Sequence, residues 1–329
     1  MTFIKNKSFM RIAALAVITA FVVTGCGSQT DAFNNYNVQM PVSSNDSSTD
    51  GIYSQDYLSD GICVIPYGKQ SKSDEVMTSL AALMVNDTSD KMLFSKNIYK
   101  KMYPASITKI VTALVTLKYG NLNDNVTISY NASHITEYGA KLCGFAEGDK
   151  IKLKTLLYSF LICSGNDAGV AIAEHVGGSV EKFADLMNKE MKELGAVNSH
   201  FVNPHGLHDE NHYTSAYDLY LVFHELLKYD TFLDIINRPY YTAKYKDASG
   251  KKKKLYFKST DKYLTGAAKA PDGVKVIGGK TGTTMAAGSN LILYSQDKDK
   301  NDYISIVMHA DHAYSLYTQM THLLEMEIK

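Results

Sequence analysis

The chain has 329 residues, of which 45% are hydrophobic, so it can bury the core of one large domain or two small ones. It carries 34 basic and 34 acidic residues, and its formal net charge is zero. This balance argues against a nucleic-acid-binding protein, which usually presents a strongly basic surface.

The N-terminus has the pattern of an export signal, predicted at 1–25. Basic residues within the first eleven positions precede an apolar stretch at 12–23, which is too short to span a bilayer as a permanent helix. The stretch runs into Val23-Thr24-Gly25-Cys26, which resembles the lipobox of bacterial lipoproteins. That resemblance implies a lipid on Cys26, which would anchor the chain on the outer face of the bacterial cell membrane. The alternative is a secreted protein that is cleaved nearby, with Cys26 incidental.

A polar segment follows at 26–77. It is rich in Ser, Asn, Asp and Gln and shows no sustained hydrophobic period. Such a composition buries too little apolar surface to fold, so we predict a largely disordered tether. The folded domain is then predicted at 78–329.

The folded domain is predicted to begin and end with strands, with helices between them. Helices are predicted at 106–119, 155–162, 168–175, 180–194, 214–227 and 313–326. Strands are predicted at 79–85, 92–94, 126–129, 150–153, 241–245, 255–257, 274–277, 290–294 and 303–308. This order indicates an α+β fold in which helices cover an antiparallel sheet.

Three cysteines remain beyond the lipobox: Cys63, Cys143 and Cys163. An odd number in an exported protein argues against a full disulfide framework. Cys163 ends an apolar run, so we interpret it as a small buried core residue. A bridge between Cys143 and Cys163 is compatible with the sequence but is not established by it. No Cys/His cluster has zinc-ligand spacing, and we expect no metal or cofactor.

The lysine run at 251–254 is a local departure from the even charge distribution. We interpret it as the solvated tip of a hairpin. Attraction to an anionic wall polymer or to lipid is the alternative interpretation.

Three short motifs occur in the order typical of an acyl-transfer serine enzyme: Ser106-Ile107-Thr108-Lys109, Ser164-Gly165-Asn166 and Lys280-Thr281-Gly282-Thr283. S-x-x-K occurs five times in the chain, so that match alone is weak. K-T-G occurs once. The order and context of the three motifs carry the prediction.

The first motif supplies a nucleophile with its base. Ser106 and Lys109 are three residues apart, and on a helix this spacing brings both side chains to one face. Free backbone N–H groups at a helix start favour developing negative charge near Ser106. Apolar neighbours disfavour the ammonium form, so Lys109 is expected to act as a base near neutral pH. A capping serine followed by a solvated lysine is the alternative.

The second motif is predicted to lie on a turn between two buried helices. The Ser164 hydroxyl can pass a proton between Lys109 and a leaving amine, and the Asn166 amide can orient Lys109 or the substrate. Helix capping alone would also explain these residue types.

The third motif is predicted at a strand edge whose small residues allow a peptide to approach the backbone. Lys280 with the hydroxyls of Thr281 and Thr283 can hold a substrate carboxylate, and the N–H groups of Thr283 and Ser106 can form an oxyanion hole. Gly282 fits such a close approach. A glycine-rich turn with an exposed lysine is the alternative.

These residues lie within longer blocks that closely resemble the serine D-alanyl-D-alanine carboxypeptidases, which are low-molecular-mass penicillin-binding proteins. The resemblance covers about 78–310. It rests on PASITK at 104–109, EGD at 147–149, SGNDA at 164–168, FVNPHGL at 201–207 and GKTGT at 279–283.

The resemblance implies a penicillin-recognising, β-lactamase-like fold, with an antiparallel sheet flanked by helices and an all-helical subdomain. It implies that Ser106 is the acyl-enzyme nucleophile, Lys109 the proton acceptor, Ser164 the relay and Lys280 the ligand of the terminal carboxylate. It further implies peptidoglycan stem peptides as substrates and β-lactams as covalent inhibitors. The charge balance, by contrast, is what argues against a nucleic-acid partner.

One feature departs from the pattern of many family members, which continue into a β-rich domain and an amphipathic anchor. This chain ends 46 residues beyond Thr283. We expect the N-terminal lipid to take the place of that anchor.

Two other functions stay open from sequence. A β-lactamase of related fold needs a carboxylate to activate the deacylating water, and none occurs near 198–201, where it is expected. A wall-binding or penicillin-sequestering protein would use the same site without hydrolysis.

Overall fold

The computed structural model describes residues 61–328, and its main element is a five-stranded antiparallel sheet with the strand order β2-β1-β9-β8-β7. The strands are β1 (Ala81–Asn86), β2 (Lys91–Lys96), β7 (Lys275–Thr284), β8 (Gly288–Gln296) and β9 (Asp302–Ala310). The predicted hairpin of β1 and β2 is confirmed, as is the antiparallel pairing of the last strands.

Both faces of this sheet are covered. Successive residues of a strand point to opposite faces, and in β1 both Leu83 and Met84 are fully buried. Leu83 belongs to the large core on the side of most helices, whereas Met84 packs with Leu316 and Met320 of the last helix. The central strands therefore carry nearly continuous apolar runs, and helices on both faces hold the sheet in place.

Eight α-helices lie in the described part. They are α1 (Thr108–Tyr119), α2 (Tyr130–Ser133), α3 (Leu153–Cys163), α4 (Asn166–Gly177), α5 (Val180–Glu193), α6 (Ala216–Leu226), α7 (Asp230–Ile236) and α8 (Ala313–Leu324). The six longer predicted helices are confirmed to within a few residues, while α2 and α7 were not predicted. None of the helices between residues 61 and 328 is long and apolar enough to cross a membrane.

A second, four-stranded sheet accompanies the helices, in the order β3-β4-β5-β6. Its strands are β3 (Asn125–Thr127), β4 (Lys150–Lys152), β5 (Tyr240–Lys246) and β6 (Lys252–Lys258). The part of the fold expected to be all-helical thus contains a small sheet as well. The lysine run at 251–254 is exposed around the β5–β6 hairpin, as the solvated interpretation expects.

The ordered domain begins earlier than the predicted boundary at residue 78. Cys63 and Ile65 are each only 3% exposed, and the backbone N–H of Cys63 donates to the Tyr220 hydroxyl at 2.9 Å. The prediction of a tether up to residue 77 is therefore wrong for 61–77, because a few apolar anchors suffice to fix a segment of polar composition. The predicted signal at 1–25, the lipid site at Cys26 and the rest of the tether lie outside the described residues.

Candidate active site

The three motifs meet at one cleft of about 220 Å³. The first motif enters from a short 3-10 turn (Ala105–Ile107) and the start of α1, the second from the turn between α3 and α4, and the third from β7. The cleft is lined by Ser106, Gly139, Lys141, Ser164, Asn166, His205, Gly206, Leu207, Thr260, Thr281, Gly282, Thr283 and Thr284. Four depressions elsewhere in the described part are larger, at about 490, 450, 410 and 370 Å³, but none of them contains a residue of the three motifs.

Ser106 and Lys109 face each other in this cleft, with 3.0 Å between the serine Oγ and the lysine Nζ. Lys109 is fully buried in α1. Its Nζ also lies 2.9 Å from Oδ1 of Asn166 and 2.6 Å from the carbonyl oxygen of His205. The predicted pairing of nucleophile and base on one side of the chain is confirmed in its geometry.

The three neighbours of Lys109 suit an uncharged amine. A neutral amine has two N–H donors and one lone pair, and the oxygens of Asn166 and His205 can only accept. The two donors are thus used, and the lone pair is left for the O–H of Ser106. Burial lowers the pKa of Lys109 well below its usual value, and the nearby Lys280 charge lowers it further.

Ser106 lies in the 3-10 turn that directly precedes α1 rather than in the helix itself. Ala105, the first residue of this turn, has a φ of +48°, which an L-residue with a side chain seldom adopts. A Cβ on Gly206 would come within 1.8 Å of the Ala105 carbonyl oxygen. The FVNPHGL block therefore packs directly against the nucleophile's turn, and glycine is required for that contact.

A hydrogen-bonded chain supports the same turn and was not foreseen from the sequence. Oγ1 of Thr108 lies 2.7 Å from Nε2 of His212 and 2.8 Å from the Ala105 carbonyl oxygen. Because Nδ1 of His212 accepts the N–H of Val202, the neutral ring carries its proton on Nε2. His212 donates to Thr108, and Thr108 donates to Ala105. Burial lowers the pKa of His212 to about 3, so the ring stays neutral near pH 7.

Ser164 ends α3 in the left-handed conformation, with a φ of +66°. A residue with a side chain is strained there by roughly 1 kcal/mol or more, and such strain persists where surrounding contacts over-determine it. In this conformation the Ser164 hydroxyl lies 3.1 Å from Nζ of Lys280.

The turn after Ser164 is clamped to the preceding loop. Asn166, at the start of α4, donates its backbone N–H to the carbonyl of Lys141 at 2.6 Å. The buried Asp167 carboxylate accepts the N–H groups of Cys143 and Gly144, each at 2.8 Å. These bonds fix the amide of Asn166 beside Lys109.

The third motif lies inside a strand rather than after one, since β7 continues through Thr284. Lys280 is 2% exposed, and its Nζ donates to the Thr281 carbonyl oxygen at 2.8 Å. Burial lowers the pKa of Lys280 to about 7, and the Lys141 charge contributes. The alternative of an exposed lysine on a glycine-rich turn is wrong.

Gly282 allows β7 to approach the nucleophile's turn. A Cβ at this position would lie 2.8 Å from the Pro104 carbonyl oxygen and 3.0 Å from the Ser106 nitrogen. A larger residue would push the strand away and widen the cleft between Ser106 and Thr283. The predicted roles of Thr281, Thr283 and the two N–H groups toward a substrate stay predictions.

Lys141 is the functional candidate that motif reasoning missed. It is exposed, lines the cleft and lies in a segment without regular secondary structure before Cys143. None of the three motifs includes Lys141. Its place at the site becomes visible only in the structure, where its carbonyl accepts the backbone N–H of Asn166.

Comparison with known sequences agrees with this geometry. The peptidase S11 family, described as D-alanyl-D-alanine carboxypeptidase, matches residues 68–312. The D-alanyl-D-alanine carboxypeptidase DacF of Bacillus subtilis is 38% identical over 156 residues, which are 46% of this chain and 39% of DacF. DacC of Escherichia coli is 32% identical over 238 residues, which are 70% of this chain and 56% of DacC. The chain thus spans about two fifths to three fifths of the length of these relatives.

Solved structures share the fold. The Streptomyces K15 DD-transpeptidase superposes with a TM-score of 0.72 at 25% identity, covering 78% of this chain and 99% of the transpeptidase. Penicillin-binding protein 5 of Haemophilus influenzae superposes with a TM-score of 0.68 at 26% identity, covering 78% of this chain and 72% of that protein. The antiparallel sheet with flanking helices is therefore the DD-peptidase and penicillin-binding-protein fold.

Proposed function

The chain belongs to the D-alanyl-D-alanine carboxypeptidase family, and we propose that it removes the terminal D-alanine from peptidoglycan stem peptides through an acyl-enzyme on Ser106. The observation that carries the proposal is the fully buried Lys109 amine, which lies 3.0 Å from the Ser106 hydroxyl and whose pKa burial lowers well below its usual value. A serine hydroxyl is a weak nucleophile until an adjacent base takes its proton.

In the acylation step, Lys109 accepts the proton of Ser106 as the serine oxygen attacks the carbonyl carbon of the scissile D-Ala-D-Ala bond. The N–H groups of Ser106 and Thr283 stabilise the oxyanion. The C–N bond then breaks, and the leaving amine takes a proton from Lys109 through the Ser164 hydroxyl. Water later attacks the ester carbonyl and releases the shortened peptide.

The terminal carboxylate of the substrate is proposed to lie toward the Lys280 side of the cleft. Thr281 and Thr283 line this side, and the Thr281 hydroxyl donates to Thr260 at 2.7 Å. Lys280 is buried in contact with the cleft residue Ser164, and there it would supply positive charge with little exposure. Lys141 adds a second, exposed positive charge at the same cleft.

The same chemistry makes β-lactams covalent inhibitors, because their strained amide presents a carbonyl and a carboxylate in a comparable arrangement. Efficient hydrolysis of the resulting ester would need a carboxylate beside the water. No Asp or Glu lines the cleft within residues 61–328. Glu190, on α5, is buried against Lys118 and Tyr119. The β-lactamase alternative therefore has no observation in its favour.

Transfer to an amine is a second candidate outcome for the acyl-enzyme. The Streptomyces K15 protein, of which the superposition covers 99%, is a DD-transpeptidase. Acylation is common to both reactions, and they differ only in whether water or an amine attacks the ester.

We further propose that the enzyme is exported and held at the outer face of the cell membrane by a lipid on Cys26. The support is the sequence pattern alone: a basic start, a short apolar stretch and the lipobox-like run at 23–26. Incorporation of radiolabelled palmitate by the wild type but not by a Cys26→Ala variant is the expected result. Equal labelling of both proteins would refute the anchor.

The central test is mass spectrometry of a stem pentapeptide ending in D-Ala-D-Ala. We expect release of one D-alanine by the wild type, none by Ser106→Ala, and none from a peptide ending in D-Ala-L-Ala. A penicillin adduct mapped to Ser106 without any peptide turnover would instead identify a penicillin-binding protein that does not hydrolyse. Release by Ser106→Ala at the wild-type rate would refute the mechanism.

A further inference from the structure

Two thiols lie face to face under the active-site cleft. The sulfur atoms of Cys143 and Cys163 are 3.2 Å apart, and the two residues are 8% and 5% exposed. Both are free cysteines, as is Cys63, which is buried where its backbone binds Tyr220. Cys163 is bonded directly to Ser164, so one member of the pair adjoins a proposed catalytic residue.

The fold holds this pair together without help from the sulfurs. The Asp167 carboxylate accepts the N–H groups of Cys143 and Gly144, and the Asn166 N–H binds the Lys141 carbonyl. A Cβ on Gly165 would lie 2.2 Å from the Cys143 sulfur. The absence of a side chain at Gly165 thus creates the space that the Cys143 sulfur occupies.

We propose that Cys143 and Cys163 form a disulfide that fastens the cleft loop carrying Lys141 to the turn carrying Ser164. The two S–H bonds break, one S–S bond forms, and two protons and two electrons leave the pair. The oxidant is a disulfide, either of an exported thiol–disulfide exchange protein or of a small thiol, and it is reduced to two thiols. The exchange passes through a mixed disulfide on one cysteine, which the other then displaces.

Local electrostatics favour Cys163 as the attacking thiol. The hydrogen bond with Cys143 lowers the pKa of Cys163, and the Lys141 charge lowers it further, whereas burial raises the pKa of Cys143. The thiolate is the attacking form in such exchange. Access requires the loop to open, and the loop around Lys141 and Leu142 is exposed and lacks regular structure.

The bridge would act on the geometry of the second motif. Ser164 is held in a strained left-handed conformation, and Asn166 is held beside Lys109. A covalent bond between positions 143 and 163 would keep the loop from opening. Ser164 and Asn166 could then no longer relax from these positions when the loop moves. This consequence for catalysis rests on the proposed function, whereas formation of the bond does not.

The direct test is peptide mapping of the full chain after equilibration with oxidised glutathione. Trypsin cleaves at Lys141 and Lys150 and at Lys154 and Lys182, so the bridge would join peptide 142–150 to peptide 155–182. We expect the joined pair without reductant and its two parts after reduction, with Cys63 alkylated in both cases. Separate alkylation of Cys143 and Cys163, or a lasting glutathione adduct on either one, would overturn the proposal.

A second measurement tests the clamping role. We expect the oxidised wild type to melt roughly 5–10 °C above the reduced wild type, since a loop of this length gives a sizeable entropic gain in the unfolded state. A Cys143→Ser/Cys163→Ser double variant should show no such difference between oxidising and reducing buffer. The reduced and oxidised wild type suffice if that variant does not fold. Equal melting temperatures of the oxidised and reduced wild type would overturn the proposal that the bridge fastens the loop. Neither the peptide mapping nor the melting temperature depends on D-alanine release.

Discussion

The ammonium group of Lys280 lies 3.1 Å from the hydroxyl of Ser164, so the third motif is in direct contact with the second. Both residues are buried, and burial lowers the pKa of Lys280 to about 7. Lys109 is buried as well, and the charge of Lys280 is one reason for its low pKa. In the proposed mechanism the two amines therefore have different roles: Lys109 accepts a proton, while Lys280 supplies positive charge.

This division predicts a bell-shaped pH profile of kcat/KM for peptide hydrolysis. The acid limb follows loss of the neutral Lys109 amine as pH falls. The alkaline limb begins near pH 7, because Lys280 loses its charge above its pKa of about 7. A Lys280→Arg variant keeps its charge to far higher pH, so its alkaline limb should move upward even if KM rises.

The control for this prediction is a peptide whose terminal carboxylate is amidated. If Lys280 acts on that carboxylate, the amidated peptide should react slowly and show no alkaline limb. An unchanged limb in Lys280→Arg would assign the titration to another group.

Replacement of the proposed base gives a second prediction. Lys109→Met retains an unbranched chain in the buried site but removes the amine, so penicillin acylation of Ser106 should fall by roughly 10²- to 10⁴-fold. Lys101→Met, at an exposed position, is the matched control and should acylate at the wild-type rate. Intact-mass kinetics measure both. Undiminished acylation by Lys109→Met would assign the base to a different residue.

A third prediction concerns Asn166, whose Oδ1 accepts a hydrogen bond from Lys109 at 2.9 Å. Asn166→Asp places a negative charge there, which favours the ammonium form and raises the pKa of Lys109. Acylation at pH 7 should therefore fall and should recover as the pH is raised. Asn123→Asp, at an exposed position, controls for the added charge. Loss of acylation that is equal at all pH values would contradict the explanation.

Much of the site was predictable because its chemistry is local in sequence. Ser106 and Lys109 are three residues apart, and one helical turn brings them together. The order of the motifs then indicated which of several S-x-x-K matches was functional. The long amphipathic and apolar segments likewise gave most helices and the antiparallel strands.

The unpredicted parts depend on contacts between distant positions. His212 supports Thr108 across 104 residues, and no local pattern marks that pair. Glycine is a poor strand former, so the glycines around Lys280 concealed the continuation of β7 through Thr284. The segment at 61–77 looked like tether, since its few apolar anchors are recognisable only by their burial against the domain.

Gly282 provides a fourth prediction. A Gly282→Ala variant would place its Cβ within 3 Å of the Pro104 carbonyl oxygen and the Ile107 nitrogen, both of which are backbone atoms. The strand and the nucleophile's turn must then separate, and we expect a loss of roughly 1–3 kcal/mol in unfolding free energy, together with slower acylation. Gly250→Ala, on the β5–β6 hairpin with no atom near its Cβ, should leave acylation unchanged. Equal acylation by both variants would contradict the close approach.

Acid should destabilise the folded state, because the hydrogen-bonded chain from His212 through Thr108 to Ala105 holds the turn of Ser106 and contains a neutral histidine. His212 and His205 are both buried, and burial lowers the pKa of each to about 3. A histidine has a pKa of 6.5 in the unfolded chain but about 3 at these two buried positions, so between pH 6.5 and pH 3 the unfolded chain binds more protons than the folded one. Stability is therefore complete above pH 6.5 and declines as pH falls toward 3.

The fifth prediction is that His212→Asn reduces this acid sensitivity. An asparagine amide can still accept the N–H of Val202 but does not titrate, so the variant loses one of the two buried histidines. Urea unfolding at pH 7 and pH 4 measures the effect. The wild type should lose up to about 3 kcal/mol more than the variant over this interval. An exposed-site control, His134→Asn, should behave as the wild type does. Equal losses in wild type and His212→Asn would mean that the His212–Thr108–Ala105 chain tolerates a protonated ring, and the neutral tautomer assigned to it would be wrong.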